Sequence, residues 1–477
     1  MGVLGRDPSD LKKDLAEGKI TVAIYGMGRV GLPIAVAWLR AGARVIGVDI
    51  NHGLVKTLNE GRTPLEDEPG INEWIKKGVE EAKFYSTSDG IDASRKSDIK
   101  IVVVPTTLNS KKRLDNTSLI TVAENIGKGL KRGDVVILEC TVPPLTTENL
   151  IKPILEKESG LIAETDFGLA YSPERIYEGR ALQDIEENYP KVVGGVGPRS
   201  TEAVASLYES IARKGVIRLK SPREAEASKV FEGIYRDVNI ALANEFAKFC
   251  NSAGIDFMEA RKAANSQPFC HIHLPGIGVG GLCIPIYPYF LIGTAEEFGL
   301  RLTLTRSARR INEGMPLYTL NLLKVALKEA GIRIREAKVG VLGLSFRGAV
   351  KDTRLSPALA FINLIKGKVA SVKAYDPWVP FLDGVETCSS LEGLVNWSDA
   401  LVVATDHPDF KEIDLRNFKK RLVVVDGRNI LDPALLPERS IYIGIGRGSR
   451  NRIETGTGIE IGREKKKARP NMNEGDA

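Results

Sequence analysis

Cysteine is scarce in this 477-residue sequence, and its five cysteines are widely spaced, with no CxxC pair. This scarcity argues against a disulfide framework and a zinc site, and it favours a reducing compartment. Long apolar runs are also missing, because none approaches the ~18 residues that a membrane span needs. The polar N-terminus is unlike a signal peptide. We therefore expect a cytoplasmic protein, with its cysteines at Cys140, Cys250, Cys270, Cys283 and Cys388.

Charge of one sign is not concentrated in the body of the chain. The net charge is +6, with 27% charged and 43% hydrophobic residues, which is ordinary for a globular protein. Much of the excess lies in Gly462–Arg469, so we interpret residues 451–477 as a basic, disordered tail, with nucleic-acid binding as the less favoured alternative. Elsewhere the two signs are interspersed, which does not indicate a nucleic-acid groove. The length predicts about three domains.

A dinucleotide-binding fingerprint opens the chain. A predicted strand, Thr21–Tyr25, runs into Gly26-Met-Gly28-Arg29-Val30-Gly31, an apolar helix follows, and a second strand, Arg44–Val48, ends at Asp49. The first glycine makes the turn, the second admits a pyrophosphate, and the third lets helix and strand pack. The helix N-terminus offers N–H donors to the phosphates. Asp49 would bind the ribose hydroxyls and repel a 2′-phosphate, so NAD is favoured over NADP.

The remaining pattern predicts an α/β fold with two Rossmann-like, doubly wound parallel sheets joined by a central helical region. Apolar residues spaced by three and four from Ser221 to Ser252 predict one long spine helix. Near residue 330 the strand–glycine turn–helix pattern restarts as a degenerate repeat, with Arg347, Lys351 and Arg354 at its helix start. These cations indicate an anion site, with solvated surface as the alternative. The predicted domains are 1–212, NAD binding; 213–325, central and dimer-forming; and 326–450, the second Rossmann-like domain.

Cys283 stands in a glycine-dense turn, with four glycines in the six residues 276–281 and no His or acid beside the thiol. Glycines there let the backbone approach a ligand closely. A nicotinamide cofactor and an exposed thiol in one enzyme indicate an oxidation that passes through a covalent carbonyl adduct. The alternative is a buried structural cysteine, which is our expectation for the other four.

A series of ordered motifs from about Ile20 to Gly446 resembles the nucleotide-sugar 6-dehydrogenase family. Within that family, Ser172-Pro-Glu-Arg-Ile and Arg236-Asp-Val-Asn are similar to the UDP-N-acetylmannosamine branch. The motifs that carry the resemblance are Asp49-Ile-Asn51, Leu58-Asn-Glu-Gly61, Pro105-Thr106, Thr141-Val-Pro-Pro, Ser172-Pro-Glu-Arg175, Gly280-Gly281-x-Cys283-x-Pro285, Gly343-Leu-Ser-Phe-Arg347 and Asp426-Gly-Arg428-Asn.

The resemblance implies a four-electron oxidation of a sugar C6 alcohol to a carboxylate with two NAD. It assigns Cys283 as the nucleophile and Lys229 as the cation that stabilises the developing oxyanion. It assigns Glu174 as the base that activates the hydrolytic water and Thr141 as a hydroxyl that holds a water. Glu178 is expected either to assist Glu174 or to be a solvated carboxylate.

The expected binding residues fall into two groups. We expect a homodimer or a higher homo-oligomer, without metal, nucleic acid or membrane partners. His271 and His273 form an HxH without further ligands at metal spacing, so they are expected to be structural or to line the sugar pocket or dimer seam. NAD is assigned to Gly26, Gly28, Arg29, Val30, Gly31, Asp49, Thr106, Thr141 and Arg354. The UDP-sugar is assigned to Glu174, Arg175, Lys229, Gly278, Gly280, Gly281, Tyr287, Phe346, Arg347, Lys351 and Arg428.

Three positions depart from the family pattern. Tyr287 stands where the family often has Asp, Gly233 where it often has Asn, and Leu282 where the N-acetylmannosamine branch often has His. The reaction class is unaffected, but the proton path is left open. UDP-glucose and UDP-N-acetylglucosamine are alternative substrates. A nucleotide-sugar-binding protein without turnover, and a two-electron hydroxyacid dehydrogenase, are alternative functions.

Overall fold

The computed structural model describes residues 2–65, 67–418 and 421–448, so the predicted tail at 451–477 lies outside the described residues. The chain forms two compact units. The first unit contains Met1–Ala243, Ile272–Leu274 and Val279–Glu313, and the second contains Asn244–His271, Pro275–Gly278 and the chain from Gly314 onward. Within the described residues, none of the helices combines the length and apolar character that a membrane crossing requires.

A mixed sheet forms the centre of the first unit. Its order is β3-β2-β1-β4-β5-β6-β7-β8, and every neighbouring pair is parallel except β6 and β7. Apart from Thr21, all residues of the central strands β1, β4, β5 and β6 are buried, as expected for strands covered on both faces. The strands are β1 Thr21–Tyr25, β2 Arg44–Val48, β3 Phe84–Thr87, β4 Ile99–Val102, β5 Val135–Leu138, β6 Gly168–Tyr171, β7 Lys191–Gly195 and β8 Val216–Leu219.

The antiparallel pairing of β6 and β7 corrects the prediction of a fully parallel first sheet. A parallel crossover needs a helix long enough to carry the chain back across the sheet. Between β6 and β7 there is only a three-residue helix, Ala181–Gln183, and a π-turn, Asp184–Asn188. The chain therefore returns at the same edge and runs in the opposite direction. Tyr171 pairs with Gly194, and Ala170 pairs with Gly195.

Helices cover both faces of this sheet with separate apolar clusters. One cluster includes the fully buried Trp38 of α2, and the other includes Phe167 beside β6. The helices in the part of the chain described up to residue 208 are α1 Pro8–Ala16, α2 Gly31–Arg40, α3 His52–Asn59, α4 Ile71–Glu80, α5 Gly90–Lys96, α6 Thr117–Gly129, α7 Lys152–Ser159, α8 Ala181–Gln183 and α9 Pro198–Tyr208.

One long helix, α10, spans Pro222–Ala253 and has 32 residues. It agrees closely with the spine helix predicted from apolar spacing. Residues up to Ala243 belong to the first unit and those from Asn244 to the second. The helices that follow it are α11 Phe257–Ala264, α12 Tyr287–Glu297, α13 Thr303–Glu313 and α14 Met315–Glu329.

The second unit contains a smaller, wholly parallel sheet of order β10-β9-β11-β12-β13. Helices α14 and α15 contribute to its apolar core, in which Phe361 is fully buried. This unit confirms the second Rossmann-like sheet. Its elements are β9 Lys338–Leu342, α15 Pro357–Ile365, β10 Ser371–Tyr375, α16 Leu391–Trp397, β11 Ala400–Val403, β12 Val423–Asp426 and β13 Ile441–Gly444.

Candidate active site

The fold requires glycine at two of the three fingerprint positions, Gly26 and Gly31. Gly26 has φ +101°, and a Cβ on Gly31 would lie 1.8 Å from the carbonyl oxygen of Gly26. A Cβ on Gly28 would meet no atom within 4 Å, so this side of the turn is open. Asp49 Oδ2 accepts the N–H of Met27 at 2.9 Å, which ties the end of β2 to the turn. This open turn before α2 fits a dinucleotide pyrophosphate.

Of the other predicted cofactor residues, Arg29 and Val30 lie in this turn, and Thr106 follows a neighbouring strand. Thr106 follows β4, which lies beside β1, and the Cβ position of Gly26 abuts the backbone of Val103. Arg29 donates to Asp67 Oδ2 at 2.8 Å, and its Nε lies 4.0 Å from Glu178 Oε1. Glu178 thus accompanies Arg29 at the fingerprint, while Val30 immediately precedes α2. The expected assistance of Glu178 to Glu174 stays a prediction.

Cys283 is exposed and lies just before helix α12. Gly281, with φ +85°, turns the chain into this position, and the carbonyl of Cys283 accepts the N–H groups of Ile286 and Tyr287 at 3.0 Å. The Tyr287 hydroxyl accepts a hydrogen bond from Thr141 Oγ1 at 3.1 Å. The first unit therefore brings the predicted nucleophile close to Thr141 and Tyr287.

Lys229 extends toward the same place from α10. Burial lowers its pKa, while the opposing charges of Cys283, Glu232 and Glu174 act to raise it. Its Nζ lies 5.9 Å from the centre of the Tyr287 ring. A partly desolvated ammonium beside a thiol suits the stabilisation of a developing oxyanion.

Glu174 is buried and ion-paired. Its Oε2 lies 2.7 Å from Nζ of Lys191, and its Oε1 accepts the N–H of Arg175 at 2.7 Å. Lys191 also lies 3.0 Å from Glu139 Oε2. Burial raises the pKa of Glu139 to about 7, and the Lys191 ammonium opposes this rise. Sequence reasoning missed Lys191 and Glu139, although a lysine beginning the apolar run Lys191–Gly195 was a signal.

Arg175 follows Glu174 in the chain, and its side chain is held by several contacts. Its Nη1 lies 3.3 Å from Glu232 Oε1, its guanidinium donates to the carbonyl of Pro190, and it stacks 5.7 Å from the Tyr189 ring centre. Gly280 belongs to the same unit, in the turn before Cys283. These contacts keep Arg175 at the mouth of the Glu174 site.

In the second unit, Arg428 is held at the end of β12. Its Nη2 donates to the carbonyl of Phe346 at 3.3 Å and to Asp406 Oδ1 at 3.0 Å. Burial would raise the pKa of Asp406, but the Arg428 charge and the Gly348 N–H outweigh it and lower the pKa. The Cβ position of Gly276 lies 3.0 Å from Arg428 Nη1, so the chain before Gly278 packs on this arginine.

The other predicted cations of the second unit surround the glycine turn after β9. Arg347 is half-buried and Lys351 is exposed. Arg354 Nε lies 2.9 Å from both carboxylate oxygens of Asp352. This turn carries several cations and is a suitable anion site. The assignment of Arg354 to NAD stays a prediction.

The two histidines differ in their surroundings. The backbone N–H of His273 donates to Asn239 Oδ1 at 2.9 Å, and its ring meets Tyr235 edge-on at 6.3 Å between centroids. His271 is exposed. Among the described residues, no group of three or more His, Cys, Asp or Glu side chains is arranged to hold a metal ion.

A dinucleotide fingerprint and a thiol–lysine–glutamate group in one unit, with a second Rossmann-like sheet in the other, define an NAD-dependent dehydrogenase. Three models of one family match the chain: its NAD binding domain at residues 20–212, its central domain at 223–314 and its UDP binding domain at 340–433. The chain belongs to the UDP-glucose/GDP-mannose dehydrogenase family and is an NAD-dependent UDP-sugar dehydrogenase.

Known relatives cover nearly the whole described chain. The UDP-N-acetyl-D-mannosamine dehydrogenase of Pyrococcus horikoshii is 39% identical over 431 residues, which are 90% of this chain and 99% of the relative. A solved structure of UDP-D-ManNAc dehydrogenase from that organism has a TM-score of 0.84 at 37% identity, covering 90% of this chain and 99% of that one. The NDP-N-acetyl-D-galactosaminuronic acid dehydrogenase structure from Methanosarcina mazei has a TM-score of 0.80 at 32% identity, covering 91% and 98%.

Proposed function

We propose that this enzyme oxidises UDP-N-acetyl-D-mannosamine to UDP-N-acetyl-D-mannosaminuronate. The observation that carries the proposal is the exposed Cys283 thiol, grouped with Lys229, Thr141 and Tyr287 in the unit that also holds the NAD fingerprint. The Pyrococcus relative that is named for this sugar supports the choice of substrate.

Bound NAD accepts hydride, and two NAD with one water convert the C6 alcohol to a carboxylate with release of two NADH and three protons. In this proposal, the Lys229 ammonium donates to the C6 oxygen and stabilises its negative charge. The Cys283 sulfur bonds to the aldehyde carbon, and the carbonyl oxygen takes a proton, which gives a thiohemiacetal. Oxidation of that adduct gives a thioester.

Hydrolysis of the thioester is assigned to Glu174. Its carboxylate takes a proton from water as the water oxygen bonds to the acyl carbon, and the carbon–sulfur bond then breaks to release the Cys283 thiol. The ion pair with Lys191 supports this role, because it fixes the position of the carboxylate. The hydroxyl of Thr141 is proposed to hold the water.

The UDP end of the substrate is proposed to bind in the second unit, at Arg428, Arg347 and Lys351, because a guanidinium meets phosphate oxygens in a bidentate manner. The three-domain division at residues 212 and 325, the homodimer and the cytoplasmic location belong to the same proposal. So does the supply of uronic acid to surface polysaccharide. The uncovered apolar residues of α10, such as Phe231 and Phe249, support the homodimer, and the scarcity of cysteine supports the cytoplasmic location.

A panel of UDP-sugars tests the proposal. Purified enzyme with NAD is given UDP-N-acetylmannosamine, UDP-N-acetylglucosamine, UDP-N-acetylgalactosamine and UDP-glucose, and NADH is counted per sugar consumed. The expected result is two NADH per UDP-N-acetylmannosamine and the highest kcat/KM with that sugar. Tight binding without NADH would contradict it and indicate a binding protein. Full steady-state activity of Cys283→Ala would indicate a two-electron dehydrogenase.

A further inference from the structure

The side chain of Tyr287 packs directly against Gly233, so the residue at either position limits which residue the other can be. A Cβ on Gly233 would lie 2.5 Å from Cδ2 of Tyr287 and 3.3 Å from its Cβ and Cγ. The nearest atom belongs to the ring of a buried side chain, not to the flexible end of an exposed one. The Tyr287 ring therefore occupies the space that any side chain on this face of α10 would need.

The ring is fixed by its apolar surroundings. Val230, Ile286 and Phe290 are buried with Tyr287 in one cluster, and the rings of Tyr287 and Phe290 stack with centroids 6.2 Å apart. The backbone N–H of Tyr287 is bonded to the carbonyl of Cys283. Since ring and backbone are both held, the position of the phenol hydroxyl is determined as well.

The hydroxyl points into the group of reactive side chains. Thr141 Oγ1 donates to it, so the phenol proton is left for another acceptor. Tyr287 and Cys283 are four residues apart on one helical turn, closed by the bond from Tyr287 N–H to the Cys283 carbonyl, so their side chains are neighbours. Burial, and then Cys283, raise the pKa of Tyr287 well above its ordinary value, and the hydrogen bond from Thr141 and the charge of Arg236 oppose them. The phenol therefore keeps its proton at neutral pH. The other titratable groups that act on this place are Lys229, Glu232 and Arg236 on α10, Tyr171 on β6, and Glu174 and Arg175 after β6.

We propose that the Tyr287 hydroxyl is a catalytic hydrogen-bond donor to the Cys283 sulfur, held there by the Thr141 hydroxyl and by the space above Gly233. The inference rests on the proposed function, since it concerns the nucleophile of that reaction. A donor at the sulfur favours the thiolate and directs it, as hydrogen bonds to a charged form do. Tyr287 replaces the Asp, and Gly233 replaces the Asn, that the family resemblance leads one to expect. The two replacements depend on each other, because the Tyr287 ring needs the space at Gly233.

Alkylation of the thiol tests the inference without any sugar. The enzyme is treated with iodoacetamide over a range of pH, and the Cys283 peptide is quantified by mass spectrometry, with the Cys270 peptide as an internal standard. Tyr287→Phe keeps the ring and removes only the donor. The expected result is an alkylation rate at Cys283 about tenfold lower near neutral pH, with the pH profile moved toward higher pH. The matched control, Tyr289→Phe on the same helix, leaves the profile unchanged.

Gly233→Ala is the second variant, because its methyl group displaces the ring while the hydroxyl remains. It is expected to move the profile in the same direction as Tyr287→Phe. Unchanged profiles in Tyr287→Phe, or in Gly233→Ala where Tyr287→Phe does not fold, overturn the inference. A failure to produce NADH from every UDP-sugar overturns the proposed function instead, and the alkylation result stands independently of it.

Discussion

Glu174 and Lys191 lie opposite each other across the antiparallel pair of β6 and β7, with 2.7 Å between Oε2 and Nζ. The register that pairs Tyr171 with Gly194 reaches these two residues when it is continued past the end of β6. Both side chains are buried, and Lys191 is shared with Glu139. A buried cation between two carboxylates compensates both, so its removal leaves both without a counterion.

Lys191→Met is expected to lower the free energy of unfolding by about 3–5 kcal/mol at pH 7. The loss should diminish as the pH falls toward 5, because the two abandoned carboxylates can then be neutralised by protonation. Denaturant unfolding at both pH values measures it. Lys214→Met, at an exposed lysine of the turn before β8, should change stability by less than about 0.5 kcal/mol. An equal loss at both pH values would contradict this explanation.

The fingerprint glycines are expected to respond differently to alanine. Gly31→Ala places a methyl group against the carbonyl oxygen of Gly26 and should cost at least about 3 kcal/mol of folding free energy. Gly28→Ala adds a methyl group in open space, so the fold should persist while NAD binds at least about tenfold more weakly. Thermal unfolding without cofactor and NAD titration separate the two effects. Unimpaired NAD binding by Gly28→Ala would contradict the assignment of this turn to the pyrophosphate.

Glu226 should make stability depend on pH. It is buried on α10 and accepts hydrogen bonds from Leu145 N at 2.6 Å and from Thr147 N at 2.8 Å. Burial nevertheless raises its pKa from 4.5 to about 7, and these hydrogen bonds oppose the rise. Its contribution is therefore complete below pH 4.5 and is lost as the pH rises to 7, by about 3 kcal/mol.

Glu226→Gln removes the titrating group. The difference in the free energy of unfolding between the wild type and Glu226→Gln should fall as the pH is raised from 4.5 to 7 and then become constant. Denaturant titrations at half-unit pH steps provide the measurement. Glu224→Gln, at an exposed glutamate of the same helix, serves as the control and should show no such fall over this window. A difference that rises with pH would show that the carboxylate is ionised in the folded protein throughout.

Arg428 is expected to be necessary for binding the nucleotide. Arg428→Lys keeps the charge but loses the planar fork, so UDP should bind about tenfold more weakly. Isothermal titration with UDP alone measures this without any turnover. Arg416→Lys is the matched control, because Arg416 is an exposed arginine of the same unit that pairs with Asp414 at 2.6 Å. Equal UDP affinity of both variants would remove Arg428 from the proposed site.

The elements with strong local signals could be predicted from the sequence. The strands Thr21–Tyr25 and Arg44–Val48 have the predicted bounds, because a glycine fingerprint ends one and an acidic residue follows the other. The helix predicted over Ser221 to Ser252 is found at Pro222–Ala253, because apolar residues recur along its whole length. Local spacing determines such elements, so the sequence alone is sufficient.

Other features depend on distant parts of the chain. The edge strands β3 Phe84–Thr87 and β8 Val216–Leu219 escaped prediction, since several of their side chains are exposed and no apolar run marks them. The antiparallel direction of β7 arises because the segment before it has no helix long enough for a parallel crossover. Likewise, the sequence around Glu139 does not predict its ion pair with Lys191. The two residues are 52 positions apart and come together only in the folded sheet.

The reversal at β7 also affects how the enzyme can change. Both ends of the excursion from Arg175 to Pro190 are anchored at one sheet edge, and Gly179 within it has open space around its Cβ position. Extra residues introduced beside the exposed Gly179 would lengthen the excursion without moving its two anchors, while its buried part around Ile185 stays packed. New specificity could therefore evolve, or be engineered, in this excursion while the proposed base and its counterion stay joined.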